Sequence, residues 1–177
     1  MDVTLTSGEL ARLRETISRV EQIRTFVCRG TPASEDVATW FAFLSALKAL
    51  QGNANNDLSF LSCVLAKGYL VECHGGLLLD VATKPQGAPG LDIDVLTVRG
   101  ERIVGEVKTV EPYLPTDFGS QQKEAFRADF KKLQSATAQF KYLFVSSRRA
   151  HEVLGRKYAF DLAGVTLVLL DATSSKA

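Results

Sequence analysis

The sequence predicts an α/β fold in which a mixed central sheet is flanked by helices, with a helical extension at the N-terminus. Two observations lead to this prediction. From residue 57 onward, apolar residues recur alternately at helix and strand periods, in the order α-β-β-β-α-β-α-β. Before that point only helical periods occur. We therefore assign residues 1–52 to a helical extension and residues 53–177 to the core of one compact domain.

The composition is that of a folded protein, with 46% hydrophobic and 23% charged residues. No stretch reaches the ~20 consecutive apolar residues of a transmembrane helix, and the N-terminus lacks the basic and apolar segments of a signal peptide. The three cysteines are scattered, at Cys28, Cys63 and Cys73, which favours reduced thiols. We therefore expect a cytoplasmic protein that does not associate with membranes.

Three helices are predicted before the sheet, over residues 6–29, 31–52 and about 57–67. Thr6 and Glu9 have the spacing of a capping box at the start of the first helix. Gly68 stands where a left-handed cap would end the third helix. Residues 69–74 are then predicted to form the first strand of the core.

The central part of the sheet is predicted to be a hairpin over residues 91–110, with strands at 91–98 and 102–110 and a turn at 99–101. A short strand at 77–83 and a glycine- and proline-rich loop at 84–90 precede it. The remaining elements are a helix, a strand, a basic helix and an apolar strand, over residues 120–140, 142–146, 148–158 and 165–170.

Charged residues interrupt the two otherwise apolar strands of this hairpin. Side chains two apart in a strand share a face, so Glu106 and Lys108 project together from the second strand. A tight hairpin would place them beside Asp94 or Asp92 on the first strand. Clustered carboxylates on apolar strands are costly unless something compensates them, and a divalent cation would do so.

An aspartate on one strand followed by Glu106-Val107-Lys108 on the next resembles the motif of the PD-(D/E)XK nuclease superfamily, which has the restriction-endonuclease-like fold. The aspartate is Asp94, twelve residues upstream of Glu106, or Asp92, fourteen upstream. The resemblance covers about two-thirds of the chain. It implies that Asp94, Glu106 and the main-chain carbonyl of Val107 bind Mg²⁺, for which Mn²⁺ can substitute. Lys108 would then position or deprotonate the attacking water.

The implied function is a Mg²⁺-dependent DNA endonuclease, of the restriction type, acting on duplex or branched DNA. A Holliday-junction resolvase and a repair or phage-defence nuclease are alternatives, and so is a non-enzymatic module of this fold for DNA binding or assembly. Asp92 could be a second metal ligand. Asp57 could reach the metal from the third helix or simply cap that helix. Because duplex cleavage needs two active sites, we also expect a homodimer.

Basic residues cluster in the C-terminal part of the chain. Residues 121–157 hold nine basic and three acidic residues, a net charge of +6, whereas residues 31–120 hold six basic and eleven acidic residues, a net charge of −5. This asymmetry predicts phosphate contacts. The candidate DNA-binding residues are Lys123, Arg127 and Lys131 on one helix and Arg148 and Arg149 on the next.

Two polar residues of the helix at 120–140, Gln122 and Asp129, lie closer to its apolar stripe than polar residues usually do. In some relatives a glutamine on this helix orients the scissile phosphate or the water. The resemblance therefore implies a substrate-orienting role for Gln122 or Gln121.

Overall fold

A computed structural model of the chain describes residues 3–33, 35–84, 88–114 and 116–170. Five helices are described: α1 (Ser7–Cys28), α2 (Val37–Gln51), α3 (Ala54–His74), α4 (Ser120–Ser135) and α5 (Arg148–Lys157). Four strands are described: β1 (Ile93–Leu96), β2 (Arg102–Lys108), β3 (Phe140–Val145) and β4 (Thr166–Leu169).

The four strands form one mixed sheet in the order β1-β2-β3-β4. The hairpin strands β1 and β2 are antiparallel, whereas β2, β3 and β4 are parallel to one another. The parallel pairs follow from the helices α4 and α5, which supply the long crossovers that parallel neighbours need. The predicted α/β class, with a mixed sheet flanked by helices, is confirmed.

The two faces of the sheet bury different helices. On one face, α4 and α5 contribute Phe126, Leu133 and Leu154 to a core that includes Leu143 of β3. On the other face, α3 packs Ala66 and Leu70 against a core that includes Phe144. The strand β3 can serve both cores because alternate side chains point to opposite faces. The result is three layers, with the sheet in the middle.

The predicted third helix and first strand are one continuous helix, α3. Gly68 does not cap it; this glycine is buried inside the helix, which continues to His74. The helix is capped by Gly75 instead, which has a positive φ of 81° and donates its N–H to the Val71 carbonyl. The packing of Leu70 against the sheet holds residues 69–74 in the helix. The predicted strand at 77–83 is reduced to one isolated bridge, between Leu77 and Thr97.

The predicted first helix is confirmed, including its capping box between Thr6 and Glu9. The second helix begins later than predicted, because the side chain of Asp36, rather than Thr31, accepts the hydrogen bond from a first-turn N–H. The α1 helix is fixed to the core by a buried ion pair, in which Lys67 Nζ of α3 lies 2.8 Å from a Glu9 carboxylate oxygen.

No helix in the described part of the chain has the length and apolar character needed to cross a membrane. The three cysteines carry free thiols.

Candidate active site

The hairpin pairs in a register that differs from the prediction by two residues. Leu96 lies opposite Arg102, and Ile93 lies opposite Gly105. The loop between the strands therefore spans 97–101 instead of 99–101, and the main-chain N–H of Thr97 closes it by donating to the carbonyl of Glu101. A shift of two residues keeps every side chain on its predicted face but changes its partner.

This shift separates Asp94 from Glu106. The carboxylate of Asp94 accepts two hydrogen bonds from the guanidinium of Arg102, at 2.8 and 2.7 Å. These bonds hold the pKa of Asp94 below its usual range. The Asp94 side chain is 47% exposed and does not line the cavity described below. Asp94, one of the two aspartates predicted to lie beside Glu106, therefore belongs to a surface ion pair instead.

Asp92 is the aspartate that lies beside Glu106. Asp92 immediately precedes β1. Continuing the observed register by one residue beyond the Ile93–Gly105 pair places Asp92 opposite Glu106. One of its carboxylate oxygens accepts a hydrogen bond of 2.9 Å from the main-chain N–H of Val107. This bond places the carboxylate beside the β2 segment that carries the E-x-K tripeptide, so Asp92 is the hairpin aspartate that occupies the predicted position next to Glu106.

Glu106 is a buried acid among other charged groups, with 2% of its surface exposed. Burial, the charge of Asp92 and a hydrogen bond with Asp92 raise the pKa of Glu106 to about 7, with a further contribution from Asp129. The ammonium of Lys108 opposes this increase. Glu106 can therefore exchange a proton near neutral pH, a property common among functional carboxyl groups.

The helix α4 adds a third acid and a second lysine. Lys132 Nζ lies 3.2 Å from Glu106 Oε1 and 3.2 Å from Asp129 Oδ1. Lys108 Nζ lies 2.8 Å from Asp129 Oδ2. That contact is close enough for an ion pair but is not aligned as a hydrogen bond, so the buried Oδ2 accepts none within the described chain. The charge of this oxygen is therefore compensated by the Lys108 ammonium without a hydrogen bond.

Asp92, Glu106, Lys108 and Lys132 line a cavity with a volume of about 510 Å³, a size typical of ligand sites. Residues of α1, α3 and the loop before β1 complete its lining. Six charged residues line the cavity: Arg12, Lys84, Asp92, Glu106, Lys108 and Lys132. Four are basic and two are acidic, so the cavity favours an anionic ligand.

The donor set fits a hard divalent cation. Asp92 and Glu106 supply carboxylate oxygens at one place, and Val107 lines the same cavity. Within the described residues no three His, Cys, Asp or Glu side chains form a ready-made metal site. Glu106 and Asp129 both contact Lys132, at 3.2 Å each.

Two other predicted site residues have structural roles away from the cavity. The amide of Gln122 makes three hydrogen bonds: its nitrogen donates to the Glu111 carbonyl, and its oxygen accepts from the N–H groups of Tyr113 and Gly119. Gln122 therefore organises the loop before α4 instead of orienting a substrate. Asp57 is ion-paired with Arg19 of α1. Gln121 is exposed on α4 and lines no part of the cavity.

The predicted DNA-binding residues lie outside the cavity as well. Lys123 is paired with Asp117, at 2.9 Å. Arg127 and Lys131 are exposed on α4. Arg149 donates to the carbonyl of Leu114, and Arg148 begins α5. The predicted basic surface and the cavity are thus separate features.

Four residues of the cavity region had no role in the sequence prediction: Arg12, Lys84, Asp129 and Lys132. A signal existed for Asp129, since a polar residue near an apolar stripe predicts a buried interaction. Lys132 follows three residues later, at a spacing that places the two side chains together. No local signal identifies Arg12 or Lys84, because their position depends on how α1 and the loop before β1 pack on the core.

Comparison of the chain with protein-family models, with curated proteins and with solved structures gave no match. Its function must therefore be inferred from the site itself.

Proposed function

We propose that this protein is a metal-dependent nuclease that hydrolyses phosphodiester bonds in DNA, with a site of the PD-(D/E)XK kind. One observation carries the proposal. Asp92, Glu106 and Lys108, the residue types of that motif, lie together at the end of an antiparallel hairpin and line a cavity with an excess of basic groups. A ligand with a negatively charged backbone suits such a cavity, and a divalent cation suits its carboxylates.

The proposed cofactor is Mg²⁺, with Mn²⁺ as a substitute, held by Asp92, Glu106 and the carbonyl of Val107. When bound, the ion supplies Lewis acidity, lowering the pKa of a water molecule and neutralising charge on the phosphoryl oxygens.

Two lysines, Lys108 and Lys132, supply the positive charges of the proposed site. Lys108 carries its positive charge beside the carboxylates, where it offsets negative charge that develops on the phosphoryl oxygens during attack. Asp129 holds the Lys108 ammonium in place. Lys132 bridges Glu106 and Asp129, and together these two carboxylates outweigh the effect of burial, keeping the pKa of Lys132 above its usual value. Lys132 therefore stays charged and limits the repulsion between the acids.

The test is cleavage of plasmid, branched and single-stranded DNA in the presence of Mg²⁺ or Mn²⁺. The wild-type chain should cut at least one of these substrates, and Glu106→Gln should not. Glu72→Gln, a change of the same kind at an exposed position of α3, should cut like the wild type. A Glu106→Gln variant with full activity would rule out the assigned site. Binding without cleavage by the wild type would leave the non-enzymatic module as the remaining function.

The proposed partner is a second copy of the chain, joined through the helical extension. Val37, Phe41 and Leu44 follow a helical spacing on one face of α2, and Phe41 is 73% exposed. A cluster of exposed apolar side chains on one helix is typical of an interaction surface. In the whole of α2 the only charged residue is Lys48, so two such faces can meet without opposing charges at their centre.

Sedimentation of the purified protein tests this partner. The wild type should sediment as a dimer and Phe41→Glu as a monomer. Phe160, which is 93% exposed after α5, provides the control: Phe160→Glu should remain dimeric. A dimeric Phe41→Glu variant would exclude this face.

A further inference from the structure

Two basic groups of the cavity have no role in the proposed reaction: Arg12 of α1 and Lys84 in the loop before β1. They line the same cavity as the proposed metal ligands Asp92 and Glu106. The cavity therefore holds more positive charge than the proposed hydrolysis uses.

Arg12 is held in a fixed orientation with its donors available. Its guanidinium carbon lies 4.5 Å from the centroid of the Phe60 ring, and Phe60 is itself buried. Stacking of this kind fixes the plane of the guanidinium and leaves its N–H groups around the edge. Within the described chain no carboxylate forms an ion pair with Arg12, whereas Arg19, two turns later on α1, is paired with Asp57.

Lys84 brings a second cation to the cavity. Its ammonium donates to the main-chain carbonyl of Leu91, which anchors the side chain. That bond uses one of three donors, and no carboxylate among the described residues lies within ion-pair distance of the ammonium. A fixed guanidinium and an anchored ammonium in one cavity form a site for an anion with several oxygens.

Cys63 lines the same cavity. Burial raises the pKa of its thiol to about 12, and the nearby charges act in opposite directions: Asp92 and Glu106 raise the pKa, and Arg12 and Lys84 lower it. The two basic groups and the two acids therefore all lie within electrostatic reach of one side chain of the cavity.

We propose that Arg12 and Lys84 form a second phosphate-binding subsite, which holds the phosphate next to the one that is cleaved. The anion site follows from the cavity alone, and its position beside a scissile phosphate rests on the proposed nuclease function. The helical extension is then part of the substrate site, because α1 supplies one of its two ligands. Arg12 and Lys84 take no part in the chemistry itself.

The first experiment measures binding of inorganic pyrophosphate by calorimetry, at low salt and without divalent cations. Arg12→Gln and Lys84→Gln should each weaken binding about tenfold or more. Arg14→Gln, the removal of an exposed arginine two residues away on α1, should leave the affinity unchanged. Thermal unfolding of each variant checks that the fold is retained. Wild-type affinity in both Arg12→Gln and Lys84→Gln would overturn the proposal, and so would a wild-type protein that does not bind pyrophosphate.

The second experiment measures the affinity for a short DNA oligonucleotide against salt concentration, with Ca²⁺ in place of Mg²⁺. Loss of one phosphate contact should reduce the slope of log affinity against log salt by about 0.7 for a single strand or 0.9 for a duplex. Arg12→Gln should show this reduction and Arg14→Gln should not. An Arg12→Gln variant with the wild-type slope, in a protein whose cleavage requires Glu106, would refute the subsite alone. Weaker pyrophosphate binding by Arg12→Gln, in a protein that cuts no DNA, would keep the subsite and refute the nuclease.

Discussion

Two buried glutamates, Glu9 and Glu106, are compensated in opposite ways. The Glu9 carboxylate is fully buried and accepts four hydrogen bonds, two from Lys67 at 3.1 and 2.8 Å and one each from the main-chain N–H groups of Val81 and Thr6, at 3.0 and 2.9 Å. Glu106 accepts one long hydrogen bond from Lys132 and lies near Lys108 and two acids, Asp92 and Asp129. A structural ion pair requires complete compensation of the buried charge. The charge of Glu106 is compensated less completely, which agrees with the raised pKa of its carboxyl group.

The largest expected effect comes from breaking the structural pair. Lys67→Met leaves the Glu9 charge buried without its partner and should lower the free energy of unfolding by about 3–5 kcal/mol. Lys132→Met should lower it by only ~1 kcal/mol or less, because the Lys132 side chain is nearly half exposed and Glu106 can take up a proton. Denaturant unfolding at pH 8 measures both. Equal decreases in the free energy of unfolding would show that Lys67 and Lys132 stabilise the fold to the same extent.

The next effect separates the two aspartates of the hairpin. Asp92→Asn should lower the rate of DNA cleavage on the order of 100-fold, about 2.7 kcal/mol, since it removes a carboxylate from the cavity wall. Asp94→Asn removes only a surface pair with Arg102 and should leave the rate within about twofold. Single-turnover cleavage assays compare them. The reverse order would mean that the register seen between β1 and β2 does not define the site.

A smaller effect concerns pH. The pKa of Glu106 is raised from 4.5 to about 7 in the folded state, so the folded protein binds this proton more tightly than the unfolded chain does. The stabilisation is complete below pH 4.5 and is lost as the pH rises through about 7. The thermal unfolding midpoint of the metal-free protein should therefore decrease as the pH is raised from 5 to 8. The decrease should be smaller in Glu106→Gln.

Metal binding should depend on pH in the opposite direction, through the same carboxyl group of Glu106. Since a ligand carboxyl must lose its proton, the affinity for Mn²⁺ should rise with pH up to about 7 and then level off. Titration calorimetry at several pH values measures this rise. For the stability prediction above, the contrary result would be a thermal unfolding midpoint that depends on pH equally in the wild type and in Glu106→Gln. That result would mean that a group other than Glu106 causes the pH dependence of stability.

The smallest effect is expected on the exposed face of α4. Arg127 and Lys131 are exposed there, whereas Lys123 is paired with Asp117. If the first two contact DNA phosphates, replacing both with glutamine should reduce the salt slope of duplex binding by about 1.8. Stability should change by less than about 0.5 kcal/mol. An unchanged slope would limit phosphate contacts to the cavity and to other basic surfaces.

The sequence predicted the hairpin and the face of each charged residue, because strand alternation is a local property. It did not predict which aspartate lies beside Glu106. A turn at 99–101 would place Asp94 opposite Glu106, and the observed loop at 97–101 places Asp92 there. Loop length sets the register, and both lengths are compatible with Thr97 and Gly100 in the sequence.

The end of α3 was likewise undecided in the sequence. Gly68 and Gly75 are both followed by residues that could leave a helix, and local propensity favours a stop at the first. The packing of Leu70 on the sheet decides in favour of the second. Arg12 and Lys84 were beyond prediction for the same reason, since tertiary contacts alone bring them into the cavity.

The position of Glu9 on α1 has a consequence for how the chain can be divided. Residue 52 is a plausible boundary in the sequence, but the charge of Lys67 in the core is compensated by Glu9 in the extension. A fragment that begins after residue 52 would lack both the carboxylate that compensates the Lys67 ammonium and the helix that carries it. The boundary at residue 52 therefore does not separate two electrostatically independent parts, and we expect such a fragment to be less stable than the whole chain.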